Sequence, residues 1–225
     1  MKTFYKLLAI FMIFGLVFAV LPVGQAQAAN TLCVNPGGTD SCYATIQGAI
    51  NAAAPGDTIE IWDGTYNYDT EGHPVDKGLI KVTKPLTIKA LEDGNGIRPV
   101  INAAGAGGLT NDGVFKIYAT QFTGGTVIIE GLDITGIPQS SVAITAPMYQ
   151  DPSNPNTIII RNNNIHGMNA AIDFWGNTSF VTDPVPANAV TSHIVITGNE
   201  IYDLYGDNDN PPFGVMVEDP ASWAV

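Results

Sequence analysis

Basic side chains are scarce in this chain: nine Lys and Arg stand against 21 Asp and Glu in 225 residues, a formal net charge of −12. A surface of that sign repels nucleic acid, anionic lipid and polyuronates unless cations intervene, so no nucleic-acid partner is expected. Cysteine is almost absent. Only Cys33 and Cys42 occur, with no His beside either, which argues against a cysteine-rich metal site and against a catalytic thiol. The three histidines, His73, His166 and His193, are scattered and show no H-x-H or H-x-x-x-H spacing. Long apolar runs are missing after the first 28 residues, and only one stretch carries a helical pattern.

The exception at the start is informative. Lys2 and Lys6 precede an apolar run from Leu7 to Val23, and Ala26-Gln27-Ala28 offers the small residues of a signal-peptidase site. Residues 1–28 are read as a signal peptide, with a membrane anchor as the alternative. The expected location is secreted or cell-surface, with no stable membrane insertion of the mature chain. Loss of Lys2 and Lys6 leaves seven basic against 21 acidic side chains, about −14. In an exported protein, Cys33 and Cys42 are expected to form a short-loop disulfide.

What the chain does contain is glycine, 24 residues, and proline, 15 residues, placed in turns such as Asp63-Gly64 and Asp93-Gly94 between short apolar segments. Tyr43 to Ala54 sets Ile46, Ala49, Ile50 and Ala53 on one helical face, and Pro55-Gly56-Asp57 stops it. Beyond Asp57 the pattern is strand and turn.

Three of those segments superpose: Thr126 to Ile134, Thr157 to Ile165, and His193 to Ile201. Each has an apolar triplet, then polar or glycine residues, then a final isoleucine; their starts lie 31 and 36 residues apart. Parallel strands need long crossovers, commonly helical, yet no helical pattern separates these units. A coil that makes one full turn per unit satisfies both facts, placing each strand on its equivalent in the next turn. The expected fold is therefore all-β, a right-handed parallel β-helix of five or six coils (57–225) behind an N-terminal cap (29–56) that carries the Cys pair and the helix. A sandwich of antiparallel hairpins is the alternative. On the coil reading Ile129, Ile160 and Ile196 form one inward ladder and Ile134, Ile165 and Ile201 another, while Asn163 and Asn199 tolerate left-handed backbone and bond the neighbouring coil.

Ala44 to Tyr66 (ATIQGAINAAAPGDTIEIWDGTY) resembles the N-terminal cap and first coil of right-handed β-helices of the pectate-lyase-like superfamily. The I-x-x-N-x-I units Ile160 to Ile165 and Ile196 to Ile201 look like its repeats. That superfamily includes lyases, glycoside hydrolases, epimerases and adhesins, so the resemblance speaks to architecture more than to activity. It implies either a module that presents loops to carbohydrate or surface proteins, or a polysaccharide lyase or related carbohydrate-active enzyme.

The enzyme reading would use Arg161 and Asp173 as catalytic groups and a Ca²⁺ site drawn from Glu130, Asp133 and Glu200. Against it, Glu130 and Arg161 fall on adjacent coils, where they can form an ordinary ion pair. The Asn-Thr-Asp, Asp-Asp, Gly-His-Gly and Arg-Ile-Lys motifs of polygalacturonases are not intact. Asp207 and Asp209 form an oxygen-rich loop, a second Ca²⁺ candidate or a plain solvated turn. Long connections would set Tyr149, Trp175, Tyr202 and Tyr205 along a groove suited to sugar rings, unless they simply cover the coil. The final segment shows no capping pattern, and the chain is expected to continue past Val225 or to meet a partner there.

Overall fold

The computed structural model describes residues 28–71, 78–91, 95–104, 113–122, 124–136, 142–147, 156–175, 193–206 and 211–217. Tyr149, Asp207, Asp209 and Val225, with residues 1–27 of the leader, lie outside them.

Strand β1 (Thr31–Val34) and helix α1 (Ile46–Ala52) open the structure, and five coils follow, each made of three strands. They are β2 (Thr58–Ile61), β3 (Thr65–Asn67) and β4 (Ile80–Val82); β5 (Thr87–Ala90), β6 (Val100–Asn102) and β7 (Phe115–Ile117); β8 (Gly125–Glu130), β9 (Asp133–Thr135) and β10 (Val142–Pro147). The last two coils are β11 (Asn156–Arg161), β12 (Asn164–His166) and β13 (Ala170–Trp175), then β14 (His193–Thr197), β15 (Glu200–Tyr202) and β16 (Phe213–Val217). Every strand pairs in parallel with its equivalent in the next coil. The result is three parallel sheets: β1-β2-β5-β8-β11-β14, β3-β6-β9-β12-β15 and β4-β7-β10-β13-β16. This is a right-handed parallel β-helix, and the antiparallel sandwich is excluded.

Its interior is built from rows. Ile59, Ile88, Ile129, Ile160 and Ile196 stack in register on the first sheet. Tyr66, Ile101, Ile134, Ile165 and Ile201 do so on the second. The inner members of both rows are fully buried, each contributing about 1.5–3 kcal/mol of burial free energy. In the apolar triplets the middle residues Ile128, Ile159 and Val195 face outward and are only half-buried, because strand side chains alternate. The last coil buries less: Ile194, Ile196 and Ile201 are partly exposed, and Val215 is 45% exposed.

The first and second sheets join through two residues in the last three coils. The first of these is left-handed (Gly131 φ 76, Asn162 φ 56, Gly198 φ 64), which only Gly and Asn adopt at little cost. Left-handed geometry thus falls one residue before Asn163 and Asn199, not on them. Those two asparagines instead supply bonds. Asn163 Nδ2 donates to Ile129 O (3.0 Å) and its Oδ1 accepts from Leu132 N (3.0 Å); Asn199 Nδ2 donates to Ile160 O (2.9 Å) and its Oδ1 accepts from Asn163 N (3.0 Å). Each asparagine reaches back to the coil before it and satisfies backbone groups that the turn would otherwise leave unpaired.

The cap closes the other end. Thr45 Oγ1 accepts from Gly48 N (3.0 Å), and the buried carboxylate of Glu71 accepts from Ile46 N (2.9 Å) and Gln47 N (3.0 Å), so both meet the free amides of the first helical turn. Burial pushes Glu71 above the ordinary carboxylate range, and the two backbone hydrogen bonds pull it partly back. Gln47 then acts as a surrogate strand: its Oε1 accepts from Lys81 N (2.7 Å) and its Nε2 donates to Lys81 O (3.3 Å) along edge strand β4. Cys33 and Cys42 are disulfide-bonded and tie β1 to the loop ahead of α1. Among the described residues no helix is long and apolar enough to cross a membrane.

Candidate functional site

Outward residues also form rows, and the three sheets carry three different surfaces. On the first sheet Glu60, Lys89, Glu130 and Arg161 are consecutive neighbours, alternating in sign. Lys89 Nζ lies 3.5 Å from Glu60 Oε1, and Arg161 Nη2 donates to Glu130 Oε2 at 2.7 Å. Arg98 Nη1 donates to Asn162 O at the same corner. Cross-strand pairs of this kind hold register at about 0.2–1 kcal/mol each.

On the third sheet Asp173 lies in register between Thr145 and Met216, with Lys116 and Lys81 further along the row. Arg161 and Asp173, expected together as catalytic groups, therefore belong to different sheets. The same division separates the expected Ca²⁺ ligands. Glu130 is on the first sheet and engaged with Arg161, while Asp133 and Glu200 are on the second, two strands or about 9.6 Å apart. Among the described residues no three of His, Cys, Asp and Glu converge in a way that could hold a metal ion.

The second sheet gathers the remaining chemistry. Its outer face has two parallel rows near the last coil: Asp133, Asn164 and Glu200 in one, Thr135, His166 and Tyr202 in the other. His166 Nε2 lies 2.8 Å from Asp133 Oδ1, a diagonal contact between neighbouring strands. The imidazole stacks on the Tyr202 ring, centroids 4.8 Å apart and planes 6° from parallel. Tyr202 keeps 42% of its surface exposed. Partial loss of hydration, followed by the negative charges of Asp133, Asp203 and Glu200, raises its phenol above the ordinary value, so the ring stays neutral. Asp203 O accepts from Gly167 N (3.0 Å), which ties the exit of β15 to coil four.

Of the expected aromatic set, Tyr202 thus stands on the second sheet beside His166. Tyr205 follows it, 47% exposed, with its N donating to Met168 O (2.8 Å) and its O accepting from Asn169 Nδ2 (3.2 Å). Trp175 ends β13, its backbone opposite Pro147.

His166 is the residue that motif reading passed over. Its distance from Asp133, 33 residues, is one 31-residue coil plus two, which on a stacked sheet means the adjacent strand and the next outward position. That arithmetic was available, but a search for histidine motifs along the chain does not perform it.

Neither the protein-family models, the curated proteins nor the solved structures include a match to this chain. Its class is accordingly defined by the coil itself: a helix-capped parallel β-helix with an aromatic and polar patch on its second sheet.

Proposed function

We propose that this protein is an exported or cell-surface β-helix module, akin to the pectate-lyase-like β-helices, that holds glycan on the outer face of its second sheet. The observation that carries the reading is the exposed Tyr202 ring, backed by His166 and bordered by Asn164, Asp133 and Glu200. A ring offers a flat apolar surface to the C–H face of a pyranose, and the surrounding polar groups meet its hydroxyls. Support for export comes from the leader pattern and from the Cys33–Cys42 bridge, which suits an oxidising compartment.

The lyase reading draws no support from this geometry, because Arg161 is engaged by Glu130 and Asp173 sits on another sheet. The test is retention of the mature protein on insoluble polysaccharides, neutral and uronate, with Tyr202→Ala as the control and with release of unsaturated products and reducing ends followed in parallel. Retention on neutral glycan that Tyr202→Ala weakens at least about fivefold, without turnover, supports the module. Equal retention of both proteins, or turnover, overturns it.

A further inference from the structure

We infer that the outer face of the first sheet is a self-docking surface, on which a second copy of this chain packs about a two-fold axis parallel to the strands. Tyr202 stands on the second sheet, so this surface and the glycan face are separate.

Two outward rows run the length of the first sheet. One reads Thr31, Thr58, Thr87, Ile128, Ile159 and Val195; the other holds Glu60, Lys89, Glu130 and Arg161 on consecutive strands. Aliphatic side chains thus take the outward position of three successive coils, and none of the three is buried. Covering such a stripe removes apolar surface from water.

Charge decides what can cover it. The chain carries a net −12, so two copies repel each other over most approaches. The second sheet turns Asp133 and Glu200 outward, and the third is closed at its centre, where the outward Thr145 is 1% exposed. On the first sheet the two acids and two bases of the charged row cancel, which lets a second copy come close there.

The order of those signs is self-complementary. Turning the sheet over about an axis parallel to its strands reverses the strand order, so β1, β2 and β5 face β14, β11 and β8 of the second copy. Glu60 then opposes Arg161 and Lys89 opposes Glu130, each twice, with no like-charged pair. Ile128, Ile159 and Val195 fall on Thr87, Thr58 and Thr31, whose methyl groups give apolar contact. Both copies share the interstrand spacing of about 4.8 Å, so the match stays in phase over all six strands. A slip of one strand would set Lys89 against Arg161 and Glu130 against Glu130, and this repulsion fixes the register. The footprint is about 24 Å along the coil by about 13 Å along the strands, smaller than the ~800 Å² per partner of stable complexes. The dimer is therefore transient, with half-association expected on the order of 0.1 mM.

The experiment is sedimentation equilibrium of the mature protein from about 10 μM to about 1 mM at low and high salt, beside Lys89→Glu, Glu130→Lys and their equimolar mixture. Each single reversal creates two like-charged contacts across the axis, whereas one copy of each variant restores four opposite ones. Expected are a monomer–dimer equilibrium that salt weakens, association at least about tenfold weaker in each variant, and a mixture within about threefold of wild type. A wild type monomeric throughout, growth beyond the dimer, or a mixture no tighter than its components overturns the inference. Should either variant melt far below wild type, Ile159→Lys replaces it, and dimerisation undiminished in that protein overturns the inference too. A monomeric wild type whose glycan retention falls in Ile159→Lys would give this face to glycan instead.

Discussion

His166 and Tyr202 occupy matching positions on adjacent strands, β12 and β15, and their rings lie face to face with centroids 4.8 Å apart. The interstrand spacing of a parallel sheet is itself about 4.8 Å, so any two planar side chains in register on neighbouring coils are held at stacking distance by the backbone. The coil thereby supports one face of Tyr202 on His166 and leaves a substantial part of the ring exposed.

Tyr202→Ala is expected to weaken retention on neutral glycan at least about fivefold, the equivalent of roughly 1 kcal/mol of ring contact. Its melting temperature should fall by no more than a few degrees, since the residue keeps 42% of its surface exposed and its stacked ring partner is His166 on the surface of the coil. A loss of binding accompanied by a large fall in melting temperature would mean the ring serves the fold.

Asn163→Ala should be among the most damaging single changes. Asn163 is fully buried, and its removal strands Ile129 O and Leu132 N in the interior, at about 2–4 kcal/mol for the pair. Urea unfolding measures this directly. A cost under about 1 kcal/mol would show that the asparagine ladder fills space without satisfying the turn.

Arg161→Ala is expected to cost no more than about 1 kcal/mol and to leave glycan retention unchanged, because its side chain is 41% exposed and its guanidinium bonds Glu130 on the first sheet, away from Tyr202. A double-mutant cycle with Glu130→Ala isolates the pair, and abolished retention in Arg161→Ala would return this arginine to the binding site.

Glu71 gives stability a pH dependence of determined sign. Its folded carboxyl titrates above the ordinary value because burial disfavours the charged form, so the contribution is fully present below the unfolded value and is lost as pH rises through the raised folded one. Relative to Glu71→Gln, wild type should therefore be most stable near pH 4 and lose ground towards pH 7. Chemical denaturation across that range tests it; a difference that stays flat, or grows with pH, contradicts the assignment of burial as the dominant cause.

Much of the fold is legible in the residues. The inward positions of the three superposed units, Ile129, Ile160 and Ile196, stack as their alignment requires, and the helical face at Ile46, Ala49 and Ile50 is buried against the first coil. The three-residue strands β9, β12 and β15 are less visible, because each contributes a single inward side chain and shows no alternation of its own. The candidate site was legible only in part. Tyr202 stands out as an aromatic beside a turn, and Asp133 and Glu200 as outward acids of one row, but His166 is marked as their neighbour only by its 33-residue spacing from Asp133, which acquires meaning once the coil length is known.

What the sequence determined alone is the winding: a repeated apolar position every coil has to be buried, and stacking equivalent strands buries all of them at once while pairing every backbone group between coils. What only the tertiary structure decided is which outward side chains meet. Nothing apolar constrains those positions, so their partners depend on register, on two-residue turns with a left-handed first residue, and on diagonal reach between strands. Those same factors set Arg161 against Glu130 on one sheet and brought Asp133, His166 and Tyr202 together on another.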